Sequence, residues 1–227
     1  MISASLFPNK KISPLRTMSS YFFAGTDTKV GKTHVVCALL RDLRRRGYAA
    51  AGFKPVACGD RAEARAMREA MGSSDGLEII NPLYFRACAD PCMSAELERR
   101  SISADEVVSA YRKAAAEYEH VLVEGCGGWL TPIAPGVTMA DVAAKLQLPV
   151  VLVVGNRPGA VNHTLLTLQD MQSRGLTCCG IILNHLTDDW DSATLTNRRL
   201  IEEFTGLPIL EELIHGQDEL DSTILKW

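Results

Sequence analysis

The stretch Gly25-Thr26-Asp27-Thr28-Lys29-Val30-Gly31-Lys32-Thr33 holds residue types that bind a phosphate chain. Backbone amides at the start of a helix lack intrahelical partners and carry the positive end of the helix dipole. A triphosphate can accept hydrogen bonds from them. Lys32 would meet the terminal phosphates, and the Thr33 hydroxyl would ligate Mg²⁺. The spacing departs by one residue from G-x-x-x-x-G-K-[ST]: Thr26 stands where the first glycine belongs, and Gly25 comes one place early. A glycine-bearing turn with Gly-Lys-Thr also arises without any ligand, so the flanks decide. An apolar run, Tyr21-Phe22-Phe23-Ala24, precedes it, and Val36, Leu39, Leu40 and Leu43 follow at helical spacing. Strand, glycine turn and helix are the setting a phosphate loop needs.

Further charged and polar residues fall at strand ends. Ala50 to Val56 reads as a strand with Lys54 near its carboxyl end. In open parallel sheets ligands sit beyond those ends, so Lys54 would face the same crevice. A surface lysine at a strand end is the other reading. His120-Val121-Leu122-Val123-Glu124-Gly125 resembles a Walker B strand, which puts Glu124 where a magnesium ligand belongs. Cys126-Gly127-Gly128-Trp129 follows, and adjacent glycines let backbone approach a ligand closely. Trp129 reads as a core cap before a pocket wall. Asp75, in Gly72-Ser73-Ser74-Asp75-Gly76, is either a turn former or a second anion near the metal; bare sequence favours the turn. Asp141 is explained by capping after Thr138. Asn162 and His163 lie in the first turn of a helix from Gly159, a polar start over a strand end that suits an anion. Asn184 closes a strand and can read a base edge.

Positioning these residues requires alternating elements. Strands are expected at Tyr21–Ala24, Ala50–Val56, His120–Gly125, Pro149–Gly155, Cys178–Leu183 and Leu207–Leu210. Helices are expected at Lys32–Arg46, Arg61–Met71, from Ser103, from Thr138, at Gly159–Met171 and at Ser192–Phe204. The alternation predicts an α/β fold: three layers, α/β/α, with a mostly parallel sheet covered on both faces in the manner of P-loop nucleotide triphosphatases. With 227 residues, 47% hydrophobic and 22% charged, the chain suits one domain with a sizeable core. A net charge of −3 gives no strong field for nucleic acid. No apolar run is long enough to span a bilayer as a helix. Seven cysteines without a disulfide-like spacing fit the reduced thiols of a cytoplasm. Residues 1–17 carry Lys10, Lys11 and Arg16 and no acid; they are expected to be a disordered tail, with Met18 the functional start of a domain over 18–227. The acidic tail from Gly216 is expected to be loosely held.

Four pieces coincide: the Gly25–Thr33 loop, Lys54-Pro55-Val56-Ala57-Cys58-Gly59, Val123-Glu124-Gly125-Cys126-Gly127-Gly128-Trp129, and Val154-Gly155 through Asn162-His163. As a set they closely resemble the dethiobiotin synthetase family, ATP-dependent carboxylases of biotin synthesis. The resemblance implies that CO₂ joins 7,8-diaminononanoate as a carbamate, that ATP phosphorylates it, and that the second amine closes a cyclic urea. It implies Mg²⁺ held by Thr33, Asp75 and Glu124, and so raises Asp75 from turn residue to ligand. It implies ATP contacts from Lys29, Val30, Gly31, Lys32, Thr33, His34, Asp75, Glu124, Gly125, Cys126 and Gly127, with Asn184 at adenine. Lys54 and Lys32 would be catalytic. Thr28, Cys58, Gly159, Ala160 and Asn162 would receive the substrate, across a homodimer interface.

The chain also departs from that family. Cys58 stands where Ser or Thr is frequent, and a thiol is a weaker hydrogen-bond partner. Leu207 to Leu213 lacks the usual glycine and second proline, and His185 replaces a frequent Asp. Lys29 is basic where an acid or small residue is often found. The alternative is a ParA/MinD-like switch ATPase, whose loop carries an early signature lysine. Asp27 occupies that position here, and neither a basic DNA-binding face nor a terminal amphipathic membrane helix is evident.

Overall fold

In β1 (Ser19–Gly25) the side chains alternate between two apolar cores, Phe22 and Ala24 in one and Tyr21 and Phe23 in the other. Successive strand residues face opposite ways, so a strand apolar on both sides must be covered on both sides. The structure, a computed structural model, describes residues 19–226. The expected tail over residues 1–17 and the start at Met18 lie outside the described residues.

After β1 come α1 (Lys32–Arg45), β2 (Ala50–Phe53), β3 (Val56–Cys58), α2 (Ala62–Met71), α3 (Leu77–Ile80), β4 (Leu83–Phe85), α4 (Pro91–Leu97) and α5 (Ala104–Glu117). The chain continues through β5 (His120–Glu124), β6 (Pro132–Ala134), β7 (Val137–Thr138), α6 (Met139–Leu146), β8 (Val150–Asn156), α7 (Ala160–Ser173), β9 (Cys178–His185), α8 (Ser192–Thr205) and β10 (Ile209–Leu213). Six strands form the main sheet in the order β10-β9-β8-β1-β5-β2, and every pairing is parallel. Leu39, Leu40 and Leu43 of α1 and Met67 of α2 cover one face. Val107 of α5, Ala140 and Ala143 of α6, and Ala160 and Met171 of α7 cover the other. The three-layer expectation holds, and β8, buried along its whole length, lies inside the sheet.

Register sets the site. Phe23 pairs with Glu124, so Glu124 lies beside the end of β1 where the phosphate loop begins. Phe53 pairs with Val123, which delivers the next residue, Lys54, to the same height. The strand expected over Ala50–Val56 is two strands. Pro55 has no N–H to give to a ladder, so the pairing with β5 stops at Phe53. The Lys54 amide instead donates to the Ile80 carbonyl at 2.7 Å, and the Lys54 carbonyl accepts from Asn81 Nδ2 at 2.9 Å. β3 then pairs with β4 in a separate two-stranded sheet.

The tail after Gly216 also departs from expectation. It straps across α1: Leu220 and Leu225 are buried in the α1-side core, the Ser222 amide donates to Asp42 at 2.8 Å, and the Tyr21 hydroxyl donates to the Lys226 carbonyl. Burial works to raise the Asp42 pKa, but the Ser222 groups and Arg46 outweigh it and hold it at about 2. A depressed carboxylate contributes stability above its unfolded pKa, near 3.8, and loses it as pH falls toward 2. Asp42→Asn is expected to flatten this acid limb and to cost about 1–2 kcal/mol at neutral pH, read by denaturant unfolding.

Candidate active site

The phosphate loop turns through two left-handed residues, Lys29 (φ 59°) and Gly31 (φ 94°), the second of which directly precedes α1. Gly31 has no room for a side chain: a Cβ there would lie 2.1 Å from Asn184 Nδ2. That amide, from the end of β9, donates to the Val30 carbonyl at 3.0 Å and so braces the loop. The first turn of α1 contains no acid, which leaves its positive end open to an anion.

Beside this turn the structure collects two ammonium groups, two carboxylates and a hydroxyl. Lys32 is buried, and its Nζ donates to the Asp27 carbonyl at 3.1 Å. Lys54 is 1% exposed; its Nζ lies 2.7 Å from Glu124 Oε1, 2.8 Å from Glu63 Oε2 and 3.2 Å from the Gly125 carbonyl. The Thr33 hydroxyl donates to Glu124 Oε1 at 2.8 Å and reaches Glu63 Oε1 at 3.4 Å. Lys54 is therefore no surface lysine. Burial works against its charge, but the carboxylates of Glu124 and Glu63 outweigh burial and hold its pKa above the ordinary lysine range. Burial, then the nearby Lys54 charge, pulls Lys32 below that range.

One atom in this cluster has no partner. Glu124 Oε2 is buried without a hydrogen bond, although Oε1 is shared by Lys54 and Thr33. An orphaned buried carboxylate oxygen is costly unless a cation completes it. Magnesium takes hard oxygen ligands, and Thr33, Glu124 and Glu63 supply them. The residues present fit the ion.

Asp75 is not among them, which corrects the ligand set implied by the resemblance. Its carboxylate accepts from the Tyr118 hydroxyl, and that bond, followed by one from Ser73, lowers its pKa. Tyr118 stands just before β5 and Glu124 closes it. The strand rise puts those positions about 20 Å apart, so Asp75 lies toward the opposite end of the sheet. Glu63, in the first turn of α2, stands in the cluster instead, 2.8 Å from Lys54 Nζ. An acid in the first turn of the helix that follows the Lys54 segment was the available signal. Its ordinary service as a helix-start charge hid it.

Other expected residues fall in two groups. Gly125, Cys126 and Gly127 adjoin the cluster; burial pushes the Cys126 thiol up to about 11, and the Lys54 and Lys32 charges lie near enough to pull it back in part. Lys29 is exposed at the loop tip. The His34 ring lies 2.7 Å from the Gln217 carbonyl of the C-terminal strap. Thr28 lines a cleft of about 370 Å³ with Asp27, Gly128, Trp129 and His163. Gly159 (φ 86°) begins α7, with Ala160 buried and Asn162 exposed. Among the described residues, no side-chain hydrogen bond or ion pair joins Gly159, Ala160 or Asn162 to the Lys54 cluster. Cys58 packs near Ser94 and Cys88, with its pKa raised by burial. His185 is buried, 2.8 Å from Glu212 and stacked on Trp190, so it serves the fold.

Comparison with known proteins gives the family. A family model described as an AAA domain matches residues 19–217. ATP-dependent dethiobiotin synthetase BioD of Akkermansia muciniphila is 49% identical over 208 residues, covering 92% of this chain and 98% of that protein. The protein of the same name from Anaeromyxobacter dehalogenans is 42% identical, covering 83% and 86%. ATP-dependent dethiobiotin synthetase BioD 1 of Escherichia coli O157:H7 is 40% identical, covering 74% and 78%. Among solved structures, a ParA family ATPase from Chlorobium tepidum TLS aligns with a TM-score of 0.58 over 88% of this chain and 86% of its own. At 13% identity that likeness shows a shared architecture alone. By sequence along nearly its whole described length, the chain belongs to the ATP-dependent dethiobiotin synthetase family.

Proposed function

We propose that this chain is an ATP-dependent cyclo-ligase of biotin synthesis that joins CO₂ to 7,8-diaminononanoate and closes the cyclic urea of dethiobiotin. The observation that carries the reading is the buried Lys54 ammonium, fixed by Glu124 and Glu63 within the field of Lys32 and the Thr33 hydroxyl. An uncharged amine of the substrate attacks CO₂ and loses a proton, leaving a carbamate. A carbamate oxygen then attacks the γ-phosphorus of ATP, and ADP departs. The second amine attacks the activated carbonyl, and phosphate leaves as the ring closes. These steps ask for positioning and charge neutralisation more than for a base of unusual pKa.

The residues divide that work. Lys32 and the amides that open α1 hold the terminal phosphates. Lys54, kept cationic by its two carboxylates, meets the carbamate oxygen and the transferring phosphoryl. Thr33, Glu63 and Glu124 would hold Mg²⁺, which when bound would neutralise phosphate charge. Gly31 and Val30, braced by Asn184, shape the loop around the phosphates, with His34 and Asn184 toward the base. Thr28 and Cys58 border the diamine, and the start of α7 at Gly159, Ala160 and Asn162 receives its carboxylate in a homodimer. Exposed Leu130 and Leu166, beside the cleft of Thr28, support such a pairing. A cytoplasmic location is part of the reading; no helix among the described residues is long and apolar enough to cross a membrane.

The test is phosphate release from MgATP. Release is expected only with both diaminononanoate and bicarbonate present, with dethiobiotin formed one for one. Release that ignores both compounds would instead support a switch ATPase.

A further inference from the structure

We propose that Arg157 is a positioning residue of the nucleotide site: its guanidinium holds the Asp27 carboxylate so that the Asp27 carbonyl faces the Lys32 ammonium. The proposal rests on the reading of Lys32 as a phosphate ligand. Asp27 lies in the phosphate loop, directly before the exposed Thr28 and Lys29. Both of its carboxylate oxygens are occupied. Oδ2 accepts from Arg157 Nη2 at 2.6 Å, and Oδ1 accepts from the Thr28 amide at 2.7 Å. Across from it, a Cβ on Gly128 would come within 3.2 Å of the Asp27 Cα, so the loop after β5 closes the other side. Residue 27 is thus gripped in one orientation, and in that orientation its carbonyl is the hydrogen-bond acceptor of Lys32 at 3.1 Å.

Arg157 can grip because its own backbone is anchored in a buried network. Its carbonyl accepts from Asn197 Nδ2 at 3.0 Å, and the same amide donates to Asn156 Oδ1 at 2.8 Å. Asn156 Nδ2 in turn donates to the Thr194 carbonyl at 3.0 Å. Asn156, Asn197 and Thr194 are all buried, so the end of β8 and the first turns of α8 form a rigid base for the guanidinium. The planar fork of arginine fixes the direction of its bonds, which a lysine ammonium does less well.

The ion pair itself is 42% and 47% exposed at the side chains. A pair that wet adds little to global stability. Its consequence is local order: a preformed loop spares the nucleotide the entropy of arranging it.

The test uses the full chain, with calorimetric titration of MgADP beside steady-state kinetics. Arg157→Ala and Asp27→Asn are each expected to weaken MgADP binding roughly tenfold, the worth of one hydrogen bond to a charged group. The double variant is expected to be no weaker than either single one, Arg157→Lys to recover part of the loss, and KM for the diamine and the melting temperature to stay put. Additive losses, or unchanged nucleotide affinity, would overturn the proposal. So would a rise confined to KM for the diamine, which would make Arg157 a receptor of the substrate carboxylate. Wild-type protein that failed to bind MgADP would refute the Lys32 reading itself, a distinct result.

Discussion

Lys54→Ala is expected to lower kcat about 10³-fold while MgADP still binds, the scale of removing one preorganised donor from a developing oxyanion. The reason is the isolation of the side chain. Lys54 is 1% exposed and sits where no solvent cation can replace it. The substitution also strips Glu124 and Glu63 of their counter-charge; Glu63 is half exposed and solvent screens it, but Glu124 is fully buried, and an unpaired buried carboxylate costs about 3–5 kcal/mol. Thermal unfolding should therefore show a loss without ligand and a partial recovery with MgADP, as for any ligand that binds the folded state alone. A second readout has a defined sign. Lys32 is depressed first by burial and then by Lys54. Removing Lys54 deletes the like charge and frees two carboxylates, so the alkaline loss of MgADP affinity should move to higher pH. Near-normal turnover, or an alkaline limb moved downward, would refute the role of Lys54.

The second large effect separates two acids. Glu63→Gln is expected to cost about 10- to 100-fold in kcat/KM and to raise the Mg²⁺ concentration needed for half-maximal rate, the range seen for groups that support a metal. Its carboxylate lies 2.8 Å from Lys54 Nζ and 3.4 Å from the Thr33 hydroxyl. Asp75→Asn is expected to leave rate and Mg²⁺ dependence within about twofold, its cost of about 1 kcal/mol appearing in unfolding through the weakened Tyr118 bond. The comparison is read by titrating Mg²⁺ at saturating ATP in both variants. The reverse pattern would restore Asp75 to the metal and remove Glu63 from it.

Much of this protein was determined by its sequence alone. A turn of Gly31, Lys32 and Thr33 between an apolar run and an amphipathic helix is a local pattern, and it folds as local patterns do. Glu124 at the end of a short apolar strand is equally local, and the alternation of Phe22 with Phe23 requires helices on both faces. What sequence left open depends on distance along the chain. Lys54 had two readings until the pairing of Phe53 with Val123 and the break at Pro55 turned it inward. Of the acids that follow that lysine, α2 brings back Glu63, while Asp75 is carried on to the Tyr118 side. The short elements α3, β4 and α4 and the C-terminal strap have little periodicity of their own, and contacts such as Asp42 with Ser222 order them. Periodicity records what each residue does with its neighbours in the chain. The meeting of charges from β5, α2 and the turn after β2 records strand register and helix crossover, which only the packed sheet supplies.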